Sequence, residues 1–129
     1  MLNTVLAVVT LLLVVGSVWL VTMAVQTLGK QWSLAARLVK EHQLIMAGPY
    51  RIVRHPIYTG MLGMMLATGL AISYWRVIAV ALIIFLSGTL IRIRIEEKLL
   101  REKFGRSYDD YAAKVPALLP LRALLRNCL

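Results

Sequence analysis

Residues 2–25 contain no charged side chain, and nothing else in the sequence constrains the fold as strongly. The run is long enough to cross a hydrocarbon core of about 30 Å as a slightly tilted helix. A secretory signal would have a basic start, a shorter apolar stretch and a small-residue cleavage site. This run has no basic start and extends too far, so a transmembrane helix is predicted. Two further apolar stretches, 57–74 and 77–91, are separated by little more than Tyr74-Trp75-Arg76. They read as a tight helical hairpin with Tyr74 and Trp75 at the membrane interface. Both arms are short, which suits helices packed against protein or a locally thinned bilayer. The predicted fold class is an all-α integral membrane protein with three transmembrane helices and a cytoplasmic C-terminal helical region.

Charge placement sets the expected orientation. Segment 26–56 carries Lys30, Arg37, Lys40, Arg51 and Arg54, the tail from residue 92 is rich in Lys and Arg, and the hairpin tip carries only Arg76. Cytoplasmic loops hold the excess of basic residues, so 26–56 and the tail are expected inside. The net charge of +9 is thereby assigned to membrane lipids, with no nucleic-acid partner expected, because no nucleic-acid motif accompanies it. One domain, 1–129, fits the length. The single cysteine, Cys128, forms no disulfide within the chain, and one residue after it is too few for a prenylation box.

Local signals fill in the rest. Gly60, Gly63, Ala67 and Ala71 place small residues along one side of the second span, where another helix can approach closely. Segment 27–40 alternates apolar and polar residues, as an interfacial amphipathic helix would. The run 47–50 reads as a turn, Pro56 as the first residue of the second span, and Gly105 as a helix stop. Ser107, followed by Asp109 and Asp110, reads as the start of a last helix, so cytoplasmic helices are expected over 92–115. Pro116 and Pro120 break regular structure beyond it. Arg92 and Glu96 lie four residues apart where a helix leaves the membrane, and an ionisable pair at that depth points to function. His42 and His55 are the only histidines, their spacing matches no zinc signature, and no metal is expected.

Two strings carry a family resemblance. The first comprises Glu41-His42-Gln43-Leu44-Ile45, Gly48-Pro49-Tyr50-Arg51, Val53-Arg54-His55-Pro56 and Tyr58-Thr59-Gly60. The second comprises Glu96-Glu97-Lys98-Leu99-Leu100, Phe104-Gly105, Tyr108, Tyr111, Lys114-Val115-Pro116 and Leu119-Pro120. In this order, separated by a membrane hairpin, they resemble the isoprenylcysteine carboxyl methyltransferase family and its wider relatives, which include phospholipid N-methyltransferases. The resemblance covers about residues 26–120. It implies an S-adenosyl-L-methionine-dependent methyltransferase with a cytoplasm-facing cofactor loop, 42–58, in a prokaryotic inner membrane. It places His42, Gln43, Leu44 and Ile45 on the cofactor, along with Tyr50 and the His55-Pro56-Ile57-Tyr58 run. It makes Arg92 and Glu96 the catalytic pair, with Glu96 on the cofactor and Arg92 on the substrate carboxylate. Arg54 receives a supporting role. Larger family members carry additional membrane helices before this core, where a single predicted span stands here. The implied partner is a lipophilic or lipid-linked substrate accepting methyl on a carboxylate. Alternatives are a phospholipid or small-amine N-methyltransferase, and a non-catalytic membrane protein.

Overall fold

The computed structural model describes residues 2–33, 43–72 and 74–120. Among these residues the architecture is all-α, with four α-helices: α1 (Leu2–Leu28), α2 (Pro56–Ile72), α3 (Trp75–Phe104) and α4 (Arg106–Lys114). Short 3-10 turns occupy Gly29–Gln31 and Gly48–Arg51. Helices α1 and α3 are each long and apolar enough to cross a membrane, whereas α2 is a shorter apolar helix of 17 residues. At 1.5 Å per residue, α2 spans about 25 Å, a little less than a typical hydrocarbon core.

The helices suit an apolar medium in their polar details. Thr10, Thr22, Thr27, Thr68 and Ser87 each donate their hydroxyl to the carbonyl four residues earlier, so each hydroxyl is satisfied within its own helix. The outer faces of α1 and α3 expose Leu11, Leu12, Trp19, Ile83 and Ile84. Water does not favour such surfaces, and lipid does.

Small residues join α1 to α2. Gly60 meets Val21 and the Ser17 carbonyl, Gly63 meets the Ser17 hydroxyl, and Ala24 and Ala67 are fully buried. Ala71, placed on the same stripe by its spacing, is exposed, so the close approach ends before the last turn of α2. A Cβ at Gly60 would overlap the Val21 side chain and stand 3.0 Å from the Ser17 carbonyl oxygen. Gly60→Ala is therefore expected to destabilise the protein by about 1–3 kcal/mol through overpacking. Gly88 has nothing within 4 Å of its would-be Cβ, so Gly88→Ala is expected to be neutral or slightly stabilising. Thermal unfolding of both variants in detergent checks the pair.

Several boundaries differ from the sequence expectation. The first helix continues past residue 25 to Leu28 and takes in Thr27 and Leu28, which had been assigned to an amphipathic segment. Gly29–Gln31 of that segment form a 3-10 turn and Trp32 is extended, so no amphipathic helix runs through 29–33, while residues 34–40 lie outside the described residues, as do residues 121–129 with Cys128. The second helix starts at Pro56 as expected and ends at Ile72, short of the expected 74. Beyond the third apolar stretch the chain stays helical as expected, with α3 running unbroken from Trp75 through the charged residues to Phe104. Gly105, at φ +51°, stops α3 and also begins α4. Its carbonyl accepts the N–H groups of Tyr108 and Asp109, so α4 starts at Arg106 and Ser107 is not the cap.

Candidate active site

The Arg54-His55-Pro56 corner is where the two sequence strings meet. Pro56 has no N–H to lose at the first position of α2, and its fixed φ starts the helix there. The two preceding N–H groups pair with the stretch after α4: Arg54 donates to the Pro116 carbonyl at 2.8 Å and His55 to the Ala117 carbonyl at 3.0 Å. Thr59 adds a hydroxyl donation to the Leu118 carbonyl at 2.6 Å. Residues 115–118 therefore form a strap across the start of α2. The prolines that end regular structure leave backbone carbonyls available for it.

Side chains from this corner reach α3. The Arg54 guanidinium donates to Glu97 Oε1 from Nε at 3.0 Å and from Nη2 at 2.8 Å. Its Nη1 donates to the carbonyls of Ala112 and Val115, at the end of α4. His55 lies between two neighbouring carboxylates, with Nε2 3.1 Å from Glu97 Oε1 and Nδ1 3.6 Å from Glu96 Oε2. Tyr58 donates its hydroxyl to Glu96 Oε1 at 2.6 Å, and Arg92 Nε stands 3.3 Å from the same oxygen. Consecutive residues on a helix project about 100° apart. Glu96 and Glu97 thus face different neighbours while sharing His55.

Beside this network lies a cavity of about 420 Å³, within the range of about 300–1,000 Å³ typical of small-molecule sites. Its polar wall comprises Tyr50, Arg54, His55, Tyr58, Arg92 and Glu96. Gln43, Leu44 and Ile45 form another wall, and Gln31 fixes that wall by accepting the Gln43 N–H on its side-chain oxygen. Val21, Val25 and Leu28 of α1, with Ile57 and Met61 of α2, close an apolar side. Trp32, Leu99 and Leu100 contribute further apolar surface. Tyr111 donates its hydroxyl to the Tyr50 carbonyl at 2.6 Å, holding α4 against the Gly48–Arg51 turn.

Burial governs the titratable groups of segment 48–55 and of α4. Desolvation alone lowers the pKa of His55, but its contacts with Glu96 and Glu97 outweigh it and leave the ring above its ordinary value. Burial raises the phenols of Tyr50 and Tyr108, and that of Tyr111 is pushed up to about 12. None of these three phenols is ionised near neutral pH. The Tyr108 hydroxyl, buried beside Glu97, makes no hydrogen bond among the described residues.

The structure brings together most of the residues singled out from sequence. Gln43, Leu44, Ile45, Tyr50, His55, Ile57, Tyr58, Arg92 and Glu96 all line the one cavity. Pro56 is buried and shapes the corner without lining it. His42 lies outside the described residues. The sequence analysis names Glu97 only within the second string and gives it no role, whereas the structure pairs it with Arg54 and His55. A usable signal was present: an arginine next to a buried histidine needs a carboxylate, and the tandem Glu96-Glu97 supplies one beyond the catalytic candidate. The cavity walls from α1, Tyr108 and Tyr111 carried no such signal.

A sequence model of the phospholipid methyltransferase family matches residues 5–107. The "Probable protein-S-isoprenylcysteine O-methyltransferase" of Oryza sativa subsp. indica is 38% identical over 103 residues, 76% of this chain and 52% of that protein. "Protein-S-isoprenylcysteine O-methyltransferase B" of Arabidopsis thaliana is 31% identical over 110 residues, 75% of this chain and 50% of that protein. The "Nickel-cobalt-cadmium resistance protein NccN" of Alcaligenes xylosoxydans xylosoxydans is 35% identical over 112 residues, 83% of this chain and 49% of that protein. The chain spans about half the length of these curated relatives. With four-fifths of its length inside the family match, the chain belongs to the phospholipid methyltransferase family.

Proposed function

We propose that this chain is a membrane methyltransferase that uses S-adenosyl-L-methionine and transfers its methyl group to the carboxylate of a lipophilic substrate. The observation that carries the reading is the convergence of Tyr50, His55 and Tyr58 with Arg92 and Glu96 on one cavity. The relatives named as O-methyltransferases support the same reaction class. The donor set fits the cofactor. Glu96 offers a carboxylate to a cation, Trp32, Leu44, Leu99 and Leu100 offer apolar surface to a purine, and Gln43 offers polar groups.

The bound cofactor would supply an electrophilic methyl group on a positively charged sulfur. Glu96 holds its carboxylate toward the cavity through Tyr58 and Arg92, so its charge is oriented before any ligand arrives. Arg92 brings a planar guanidinium to the same wall, suited to gripping both oxygens of a carboxylate. Such an acceptor is already deprotonated near neutral pH and needs no general base. The phenols of Tyr50, Tyr108 and Tyr111, all held protonated, offer none. The apolar walls exclude water while the acceptor and donor are held in line.

In this proposal 1–129 acts as one domain in an inner membrane. Three spans are formed by α1, α2 and the first part of α3, and the cavity faces the cytoplasm. The basic residues flanking the cavity support that orientation. An amine acceptor on a phospholipid is the second reading, favoured by the family match itself. That acceptor must lose a proton, and Arg92 is a poor base for it.

Calorimetry of the purified chain in detergent with S-adenosylhomocysteine tests the cofactor, with one binding site expected. Absence of binding at millimolar ligand would overturn the enzyme reading. Labelled methyl transfer into thiol-lipid carboxylates, compared with transfer into total phospholipid, separates the two acceptors.

A further inference from the structure

Glu97 reaches the network from the side of α3 away from Arg92, and the proposed chemistry makes no direct use of it. Its carboxylate is nearly buried, 11% exposed, and its Oε1 is shared by Arg54 and His55. The Arg54 guanidinium, in a side chain 13% exposed, directs its hydrogen bonds among the described residues to Glu97 and to the end of α4, so its role is to hold. Among the described residues, His55 is the one side chain that touches both adjacent carboxylates.

We propose that Arg54 and Glu97 are a positioning pair for the reaction. Arg54 fixes the Glu97 carboxylate, Glu97 fixes the His55 ring through Nε2, and the ring then presents its Nδ1–H to Glu96, whose carboxylate lines the cavity. The proposal rests on the methyltransferase reading and extends it to Glu97, which does not line the cavity, and to Arg54, which borders the cavity with its guanidinium engaged by Glu97 and the end of α4. Both ring nitrogens donate only while His55 carries both protons. Glu96 and Glu97 on α3 favour that state, and Arg54 in the loop and Arg92 on α3 oppose it. Tyr58 on α2 stands with its ring centroid 5.9 Å from that of His55, and Tyr108 on α4 lies behind Glu97. When His55 loses a proton, one of its two carboxylate ties is lost, so turnover is expected to fall on the alkaline side.

The test uses Glu97→Gln, which keeps an acceptor oxygen and removes the charge. The chain has only two histidines, so imidazole NMR of labelled protein in detergent follows His55 directly, with His55→Asn giving the assignment. In Glu97→Gln the His55 titration is expected to move to lower pH, the alkaline limb of kcat to move with it, and kcat to fall roughly tenfold. S-adenosylhomocysteine affinity is expected to change by less than about threefold, because Glu96 keeps Tyr58 and Arg92. A purely structural residue would lower the amount of folded enzyme without moving the alkaline limb of kcat. If Glu97→Gln does not fold, Glu97→Asp retains the charge but shortens the reach. It is then expected to keep the raised His55 titration with reduced kcat.

An unmoved His55 titration in folded Glu97→Gln, or a moved titration with unchanged kcat and pH profile, overturns the proposal. If the wild-type chain neither binds S-adenosylhomocysteine nor transfers methyl groups, the enzyme reading falls, and the proposal falls with it as a statement about catalysis. Intact wild-type activity with an unmoved titration removes the positioning pair alone.

Discussion

Replacing Arg92 by alanine is expected to lower kcat by about 10²–10³-fold while changing S-adenosylhomocysteine affinity by less than about threefold. The expectation follows from how the Glu96 carboxylate is held. Tyr58 donates to Glu96 at 2.6 Å and His55 faces its second oxygen at 3.6 Å, so removing Arg92 leaves two of the three described supports. The cofactor side of the cavity therefore keeps its anionic wall. What disappears is the guanidinium on the acceptor side, which in the proposed reaction orients the carboxylate against the methyl group. Orientation contributes to kcat far more than to binding of the other ligand. Arg92→Lys is expected to fall between wild type and alanine, because it keeps the charge and loses the planar fork. Single-turnover methyl transfer with calorimetry on the same preparations measures both quantities. Equal losses of turnover and cofactor affinity would mean that Arg92 and Glu96 act as one unit, and the division of labour between them would be wrong.

How much of this was legible in the sequence depends on the kind of information each feature requires. The helices were legible because uncharged runs and their basic flanks report directly on the solvent. The contact between α1 and α2 was partly legible, since Gly60 and Gly63 mark a close approach without naming the partner. Ser17 and Val21, the residues they meet, carry no comparable mark in a helix that is apolar all round. Arg92 and Glu96 stood out because their spacing is local. Glu97 did not, because its main partner, Arg54, lies 43 residues away in the chain, while Arg101 offered a sufficient local partner four residues on. Helical periodicity tells which face a residue occupies, and the choice among partners on that face is made by tertiary packing. The strap at 115–118 was read only as broken structure for the same reason. A proline-rich segment declares that it will not form a helix, and says nothing about which N–H groups its carbonyls will meet.

Arg54→Ala is expected to destabilise the protein by about 3–5 kcal/mol, the cost typical of breaking a nearly buried ion pair by removing one partner. The loss has two parts. Glu97 keeps His55 at 3.1 Å but loses both guanidinium bonds, leaving a desolvated carboxylate under-compensated. The carbonyls of Ala112 and Val115 lose their shared donor at the end of α4, where the helix already lacks intrahelical partners. Arg54→Lys is expected to recover only part of the stability, because one ammonium cannot span Glu97 and both carbonyls with the geometry of a guanidinium fork. Combining Arg54→Met with Glu97→Leu removes both charges together and is expected to be less destabilising than Arg54→Ala, since no charge is then left without its partner. Thermal unfolding in a fixed detergent at one pH gives the comparison. If Arg54→Ala unfolds at the wild-type temperature, the strap is held by the backbone bonds of Arg54 and His55 alone. The guanidinium would then be free of any structural duty, and its contact with Glu97 would have to be explained by the reaction itself.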